Sequence, residues 1–523
     1  MGSLSHSKLD LDKEEVEEIV SGSVVNKLNK ISTTLDSFGA ETRGIDRVLP
    51  EEREKNFTKV CIQVLGLWLS GCGGLTSMSS YFLGATVYGL GLKDSLISGL
   101  VSTSIGCAIA AYFSMMGPRS GCRQIVGARF LFGYWFVKFV ALVAIIGTLG
   151  WSVTNCVLGG QILAAISDDK VPIEVGIVII SIFSFFVAVF GIKQLLRVET
   201  FLSVPVFIGV ILLYIVSERR FDYPDTVSTG DSITNKGDFL TFFALCYSVT
   251  ATWGTMASDY YILFPENSSD LTIFCITFFG TLFPTIFGAV IGILIGNSSY
   301  YYEPWNEAYE QLGIGGLLNE CFKPWNGFGK FVLIVLFLSL ISNNIMNTYS
   351  AAFSAQLSAV AISKIPRWFL CIAISSVTMI AALVGRNKFS TILGNFLPML
   401  GYWVSIYFIL LLEENTIFRR KRFRHLFIKE FENEKKYYEN NENNYNFTIW
   451  NDSSRLTNGF AAGISFLIGV AGAILGMAQA YYIGPIAKNL GDYGGDLGMW
   501  ISMGFSGLVY PFLRYFELKK FGR

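Results

Sequence analysis

The sequence predicts an all-α polytopic membrane protein. Twelve transmembrane helices are expected: a five-plus-five inverted repeat with broken helices 1 and 6, then two accessory helices. Three observations predict it. Of 523 residues, 52% are apolar and only 15% charged, whereas a soluble chain carries roughly 25% charged residues. Uncharged stretches of about 20 residues, enough to cross a bilayer, recur along the chain. Glycine and hydroxyl residues interrupt two of those stretches at matching positions.

In chain order, residues 1–57 are polar and read as a cytosolic N-terminal tail. The tail is expected to be disordered apart from one short helix over 12–30, with no cleavable signal peptide. Apolar runs then place spans near 59–84, 94–116, 133–166, 172–191 and 199–217. A second set follows near 239–263, 270–296, 328–358, 367–385 and 390–412. The transporter domain is thus 58–515, with repeat one over 58–217 and repeat two over 239–412. A charged loop at 413–458 precedes the accessory helices at 459–484 and 495–515, and 516–523 forms a cytosolic C-terminal tail.

Net charge is zero, but its placement is uneven. One set of loops holds Arg119, Arg123 and Arg129, Lys193 and Arg197, Lys364 and Arg367, and the Arg419–Arg424 cluster. The positive-inside rule puts that side, and both termini, in the cytosol. Of the Asn-x-Ser/Thr matches, Asn56, Asn267, Asn446 and Asn451 then fall inside, and Asn297 falls outside beside a helix end. The Arg419–Arg424 cluster reads as a stop anchor facing anionic lipid, not as a nucleic-acid patch.

The residue inventory narrows the function. Nine Cys, mostly in apolar segments, read as small core residues and not as a disulfide framework or metal site. The two His, His6 and His425, lie in polar flanks, which excludes a histidine metal centre or an intramembrane His relay. With no P-loop, no Gly-x-Ser-x-Gly elbow and no His-Glu-x-x-His, nothing points to an enzyme or to a cofactor.

The first span contains Trp68-Leu-Ser-Gly-Cys-Gly-Gly-Leu-Thr-Ser77, and the sixth Tyr247-Ser-Val-Thr-Ala-Thr-Trp-Gly-Thr255. Taken singly, such residues also serve close helix packing. At corresponding positions of two halves they point to a transporter whose site lies between broken helices.

Side chains suited to a flat polar ligand gather around those breaks. Trp151 and Asn155 are four apart on one helix face, and Trp253 sits at the sixth-span break. An indole stacks on a ring while a carboxamide, both donor and acceptor, bonds its edge; core packing is the plain alternative for each Trp. In the eighth span Asn343, Asn344 and Asn347 follow a long apolar run. Amides in hydrocarbon need partners, either on a ligand or on neighbouring helices. Asn343 and Asn347 share one face and Asn344 and Asn347 are three apart, so only one or two of the three face a ligand.

Two carboxylates fall within the spans. Asp259 lies late in the sixth and Glu199 opens the fifth. Glu199 is read equally as a proton carrier or as an inner-gate salt bridge to Arg197 or Lys193.

These residues resemble a known group. Gly44-Ile-Asp-Arg-Val-Leu-Pro50, Gly117-Pro-Arg-Ser-Gly-Cys-Arg-Gln124, Trp151-x-x-x-Asn155, Trp253 and the Asn run look like the fungal purine-cytosine permeases of the nucleobase-cation-symport-1 (NCS1) group. The resemblance spans about residues 40 to 515. It implies proton-coupled import of adenine, guanine, hypoxanthine and cytosine across the plasma membrane by alternating access. By position, Trp151 and Trp253 would stack on the base, and Asn155, Asn344 and Asn347 would bond its edge. Ser77 or Thr76 would touch it, and Glu199 would act in coupling or conformational change. The expected partners are therefore a nucleobase, a proton and membrane lipid. Sodium-coupled relatives resemble each other in carrying two adjacent hydroxyls before the eighth-span Asn, where this chain has Leu338 and Ser339. Proton coupling is favoured accordingly. Alternatives are the same fold carrying uracil, allantoin or another small heterocycle, a non-transporting nutrient sensor, and an amino-acid permease.

Overall fold

The computed structural model describes residues 28, 31, 44–221, 226–432 and 444–523. His6, most of the helix expected over 12–30 and the middle of the 413–458 loop lie outside those residues.

The twelve expected spans form in order. Five make the first half: Phe57–Thr86, Leu92–Ser114, Arg129–Ile166, Ile173–Phe190 and Ile192–Ser217. The second half runs Ser232–Tyr260, Asp270–Tyr301, Asn326–Ser358, Arg367–Gly385 and Phe389–Glu413. Phe460–Gly476 and Gly498–Phe521 complete the set. Among the described residues nine stretches are long and apolar enough to cross a membrane. The sixth is a 20-residue helix diluted by polar residues, the eleventh is a 17-residue apolar helix, and the twelfth ends in charged residues.

Packing follows the two-fold repeat. The first span packs on the fifth as the sixth does on the tenth, and the third on the fourth as the eighth on the ninth. Second-on-sixth is matched by seventh-on-first, and fourth-on-eighth by ninth-on-third. Advancing each span by five maps these contacts onto one another, and the odd number of spans in each half inverts the second against the first. The first, second, sixth and seventh spans make one bundle, and the third, fourth, eighth and ninth make the other.

Both breaks occur where glycine and hydroxyl residues cluster. The first span divides into Phe57–Gly73 and Leu75–Tyr81, with Gly74 extended at φ −94° and ψ −171°. The sixth loses its α-helical path after Ala251 and continues as tight turns, Thr252–Thr255 and Ala257–Tyr260.

Three boundaries differ from expectation. The fifth span starts at Ile192, not 199, and its exposed Lys193 and Arg197 disguise the first two turns as a loop. The eleventh stops at Gly476, and a small hairpin pairs Ala478–Gln479 with Tyr482–Ile483 before the twelfth. Between the seventh and eighth spans, Glu303–Phe322 is a kinked helix that hydropathy misses because Glu303, Glu307, Glu310 and Glu320 dilute its apolar face. It packs along the third span, where Asn319 Nδ2 donates to Ala165 O at 3.2 Å.

The charged loop is also not simply solvated. Arg419 is buried and bonds Glu414 at 3.0 Å and Glu430 at 2.7 Å, so it does not face lipid. Glu414 in turn takes Arg514 of the twelfth span at 3.1 Å and the Tyr510 hydroxyl at 2.8 Å. This knot ties the accessory pair to the tenth span. Asn446 is fully buried within the same loop, donating to Glu430 O at 3.1 Å, which leaves no room for a glycan.

Removing one member of a buried ion-pair network strands the other's charge, at about 3–5 kcal/mol. Arg514→Met should therefore lower the thermal unfolding midpoint of the detergent-purified protein markedly. An unchanged midpoint would show that the knot contributes nothing to stability.

Candidate functional site

The break at Gly74 frees backbone groups in the middle of the bundle, and the eighth span satisfies them. Leu75 N donates to Ser339 Oγ at 3.0 Å, and Ser339 Oγ donates to Leu336 O at 2.6 Å. Asn343 Nδ2 donates to Gly71 O at 3.2 Å. The approach requires glycine: a Cβ on Gly74 would stand 2.4 Å from Ser339 Cβ.

Beside this contact lies an internal cavity of about 270 Å³, lined by residues of both broken spans and of the third and eighth. The first span supplies Thr76 and Ser77, and the third Trp151. Val249, Thr252, Trp253 and Met256 come from the sixth, and Asn343 and Asn347 from the eighth.

Both indoles are held in place. Trp151 Nε1 donates to Thr252 Oγ1 at 3.2 Å, and that hydroxyl donates to Ser248 O at 2.8 Å. Trp253 meets Trp68 edge-on at 5.5 Å and 88°, and Trp68 Nε1 donates to Tyr261 OH at 3.0 Å. The Thr76 hydroxyl is buried with no hydrogen-bond partner among the described residues.

The amides form a chain with a defined direction. Asn343 Oδ1 accepts from Asn155 Nδ2 at 2.9 Å and from Asn347 Nδ2 at 3.0 Å. Asn155 Nδ2 also reaches Asn344 Oδ1 at 2.8 Å, and Asn344 Nδ2 turns to Ser152 O and Cys156 Sγ, both at 3.3 Å. Asn344 and Asn155 are therefore spent on holding the third and eighth spans together and do not line the cavity. Here the structure departs from the sequence expectation: Asn343 and Asn347, four apart on one face, are the amides at the wall. Met256, Val249 and Thr252 are not singled out by the sequence. Thr252 stands within the interrupted run of the sixth span, whereas Met256 carries no signal.

Neither carboxylate lines the cavity. Glu199 is fully buried and two turns inside the fifth span, so it makes no salt bridge to Arg197 or Lys193; Arg197 instead bonds Gln194 at 3.3 Å. Glu199 Oε2 accepts from Ser342, whose hydroxyl lies 2.8 Å from that of Ser70 in the first span. Glu199 Oε1 has no hydrogen-bond partner, and no ion pair to Glu199 is found among the described residues. Asp259 lies below the break, where its Oδ1 accepts from Gln124 N at 2.7 Å. Gln124 bridges on to Tyr407 OH at 3.1 Å and receives Ser258 N at 3.2 Å. The Gly117–Gln124 loop is thus pinned against the end of the sixth span. Pre-span residues brace it from outside, Val48 N donating to Gly121 O at 2.9 Å and Arg47 Nε to Ser120 O at 2.6 Å.

Comparison with known proteins agrees with this architecture. Residues 50–484 match the family described as permease for cytosine/purines, uracil, thiamine, allantoin. A vitamin B6 transporter of Saccharomyces cerevisiae is 53% identical over 96% of this chain and 91% of its own length. A purine-cytosine permease of Emericella nidulans is 31% identical over 94% of this chain and 92% of its own. Among solved structures, a nucleobase-cation-symport-1 family transporter in a closed conformation with bromovinylhydantoin bound superposes with a TM-score of 0.63. At 14% identity, that match covers 92% of this chain and 96% of the other and is a likeness of fold.

Asn343 is the hub of the amide chain, and Asn347 hangs from it. Asn343→Ala removes a partner of Gly71 O and Asn347 Nδ2, each left buried at a cost of about 1–3 kcal/mol, and leaves Asn155 Nδ2 with Asn344 Oδ1 alone. It should lower the unfolding midpoint clearly more than Asn347→Ala does. Equal midpoints would show that the hub carries no structural load.

Proposed function

Because the chain belongs to the family of permeases for cytosine/purines, uracil, thiamine and allantoin, a family of cation-coupled membrane transporters, we propose that it imports a small single-ring heterocycle of the vitamin B6 class. The observation that carries this reading is the 53% identity, over nearly the whole chain, to a vitamin B6 transporter, against 31% to a purine-cytosine permease. The cavity is compatible with it. Trp151 and Trp253 offer two aromatic faces to one ring, the hydroxyls of Thr76, Ser77 and Thr252 suit a ligand bearing several hydroxyl groups, and Met256 and Val249 suit a ring methyl. Stacking contributes on the order of 1–3 kcal/mol per aromatic face. Micromolar affinity, about 8 kcal/mol, then needs both faces and several hydrogen bonds. Asn347 supplies an accepting carbonyl, since its Oδ1 receives no hydrogen bond from the described residues. The second reading is import of purine nucleobases and cytosine, supported by the family and by the more distant permeases.

The co-transported cation in this proposal is a proton. Ser339 already receives Leu75 N and gives its own proton to Leu336 O, and Leu338 precedes it, so an oxygen cage for a metal cation lacks ligands there. Glu199 is the proposed carrier. Its contact through Ser342 to Ser70 links proton binding at the fifth span to the relative position of the first and eighth. Substrate would enter from one side, be enclosed at the cavity, and leave as the two four-helix bundles rock about the repeat axis. The cation-rich loops support cytosolic termini, residues 516–523 included, and import from outside the cell goes with a plasma-membrane location.

Expressed in yeast lacking its own vitamin B6 carrier, the protein should restore uptake of labelled pyridoxine, with little competition from cytosine or adenine. Uptake of cytosine and adenine without pyridoxine would return the second reading. Trp151→Ala or Asn347→Ala should weaken apparent affinity roughly tenfold or more at unchanged surface abundance; wild-type uptake in both would remove the cavity from substrate binding. Glu199→Gln should abolish accumulation driven by a proton gradient while substrate exchange across vesicles persists, and intact accumulation would assign the proton elsewhere.

A further inference from the structure

A second, larger cavity opens on the side of the 413–458 loop, whose Trp450 and Asn451 line it. It lies between the segment before the first span, the start of the third, the end of the eighth and the loop at Trp450–Asn451. We propose that this basin binds the phosphate headgroup of an anionic membrane lipid. Its lining includes Arg129, Lys138 and Lys364 against one carboxylate, Asp46, an excess of two positive charges. None of the three cations has an ion pair among the described residues.

Arg129 makes the argument. It is only 4% exposed, yet its acceptors are neutral: Trp450 O at 3.1 Å and Asn451 Oδ1 at 2.8 Å, with Nε unpartnered. Asp46 acts on it from beyond ion-pair distance, and a buried guanidinium with no paired anion is costly unless one completes it. Tyr134 and Trp450 lie 5.2 and 5.5 Å from it, so that its charge is directed and not solvated. A headgroup that bears a phosphomonoester, as phosphatidylinositol 4-phosphate does, carries about −1.5 to −2 on that group at neutral pH, which matches the excess in the basin better than a phosphodiester alone.

The neighbouring surface favours a lipid as the source of the phosphate. Lys138 lies 4.0 Å from the ring of Trp135, which is 69% exposed on the outer side of the third span. Phe139 and Leu142 continue that exposed apolar face. A Trp at the end of a lipid-facing strip marks the bilayer interface, and basic pockets at that level between membrane helices bind lipid headgroups. A lipid can place its phosphate in the basin and its chains along this strip, whereas a soluble phosphate ester uses only the basin.

The full-length protein in detergent would be titrated with short-chain phosphatidylinositol 4-phosphate, and separately with inorganic phosphate. The short-chain lipid should bind, and Lys138→Gln with Lys364→Gln, both substitutions near the surface, should weaken it at least tenfold without changing the unfolding midpoint. Arg129→Gln should abolish binding if it folds, and the double variant stands without it. Weak competition by inorganic phosphate supports a lipid ligand. Equal binding of inorganic phosphate overturns the lipid in favour of a soluble phosphate ester. No binding, or binding unchanged in the double variant, overturns the site. The readout is binding alone, so it is independent of which heterocycle is transported.

Discussion

A helix opened inside a bilayer must find new partners for its backbone, because lipid offers none. At the first break that constraint is met by the contact between Gly74 and the eighth span. Ser339 takes the amide of Leu75 and Asn343 takes the carbonyl of Gly71. The two backbones must approach closely, so Gly74 cannot carry a side chain. The eighth span must be polar at that height, so it carries hydroxyls and amides. The third span, packed against it, must then answer those amides, which it does through Asn155 and Ser152. The cavity is what remains between helices positioned by these bonds.

This division of labour is why a polar run in a membrane helix is ambiguous when read alone. Asn343, Asn344 and Asn347 all have the chemistry of recognition, and the apolar run before them locates the right span. What the run does not convey is the rotation of that helix about its axis. Asn344 points to the third span and Asn343 to the first as well as to the cavity, and one residue of rotation exchanges their roles. Glu199 misleads for a related reason: Lys193 and Arg197 occupy the exposed face of a helix whose other face is buried, and hydropathy averages over both. The helix at Glu303–Phe322 is lost to the same averaging. The two breaks, the ten-helix repeat and both indoles at the cavity are legible because glycine clusters and mid-span Trp residues contrast sharply with the aliphatic runs around them.

Substrate identity is less legible than architecture. Two indoles, an amide and a few hydroxyls suit almost any flat heterocycle, so the motifs that mark the family do not separate a purine from a substituted pyridine. Met256 and Val249, which line the cavity, are ordinary apolar residues in the sequence. Val249 reaches the wall by its face of the sixth-span helix, and Met256 only because the turns after Ala251 carry it there.

The knot at Glu414 has a consequence for the birth of the molecule. Glu414 and Arg419 are made about a hundred residues before Arg514, and a chain emerging from the ribosome completes the ten-helix core while their last partner is still unmade. Until the twelfth span arrives, the charge of Glu414 has only Arg419 to answer it, and the seat of Arg514 stays open to water. A nascent chain cut short after the eleventh span would therefore expose a hydrated acidic notch, a distinctive mark by which unfinished copies differ from finished ones.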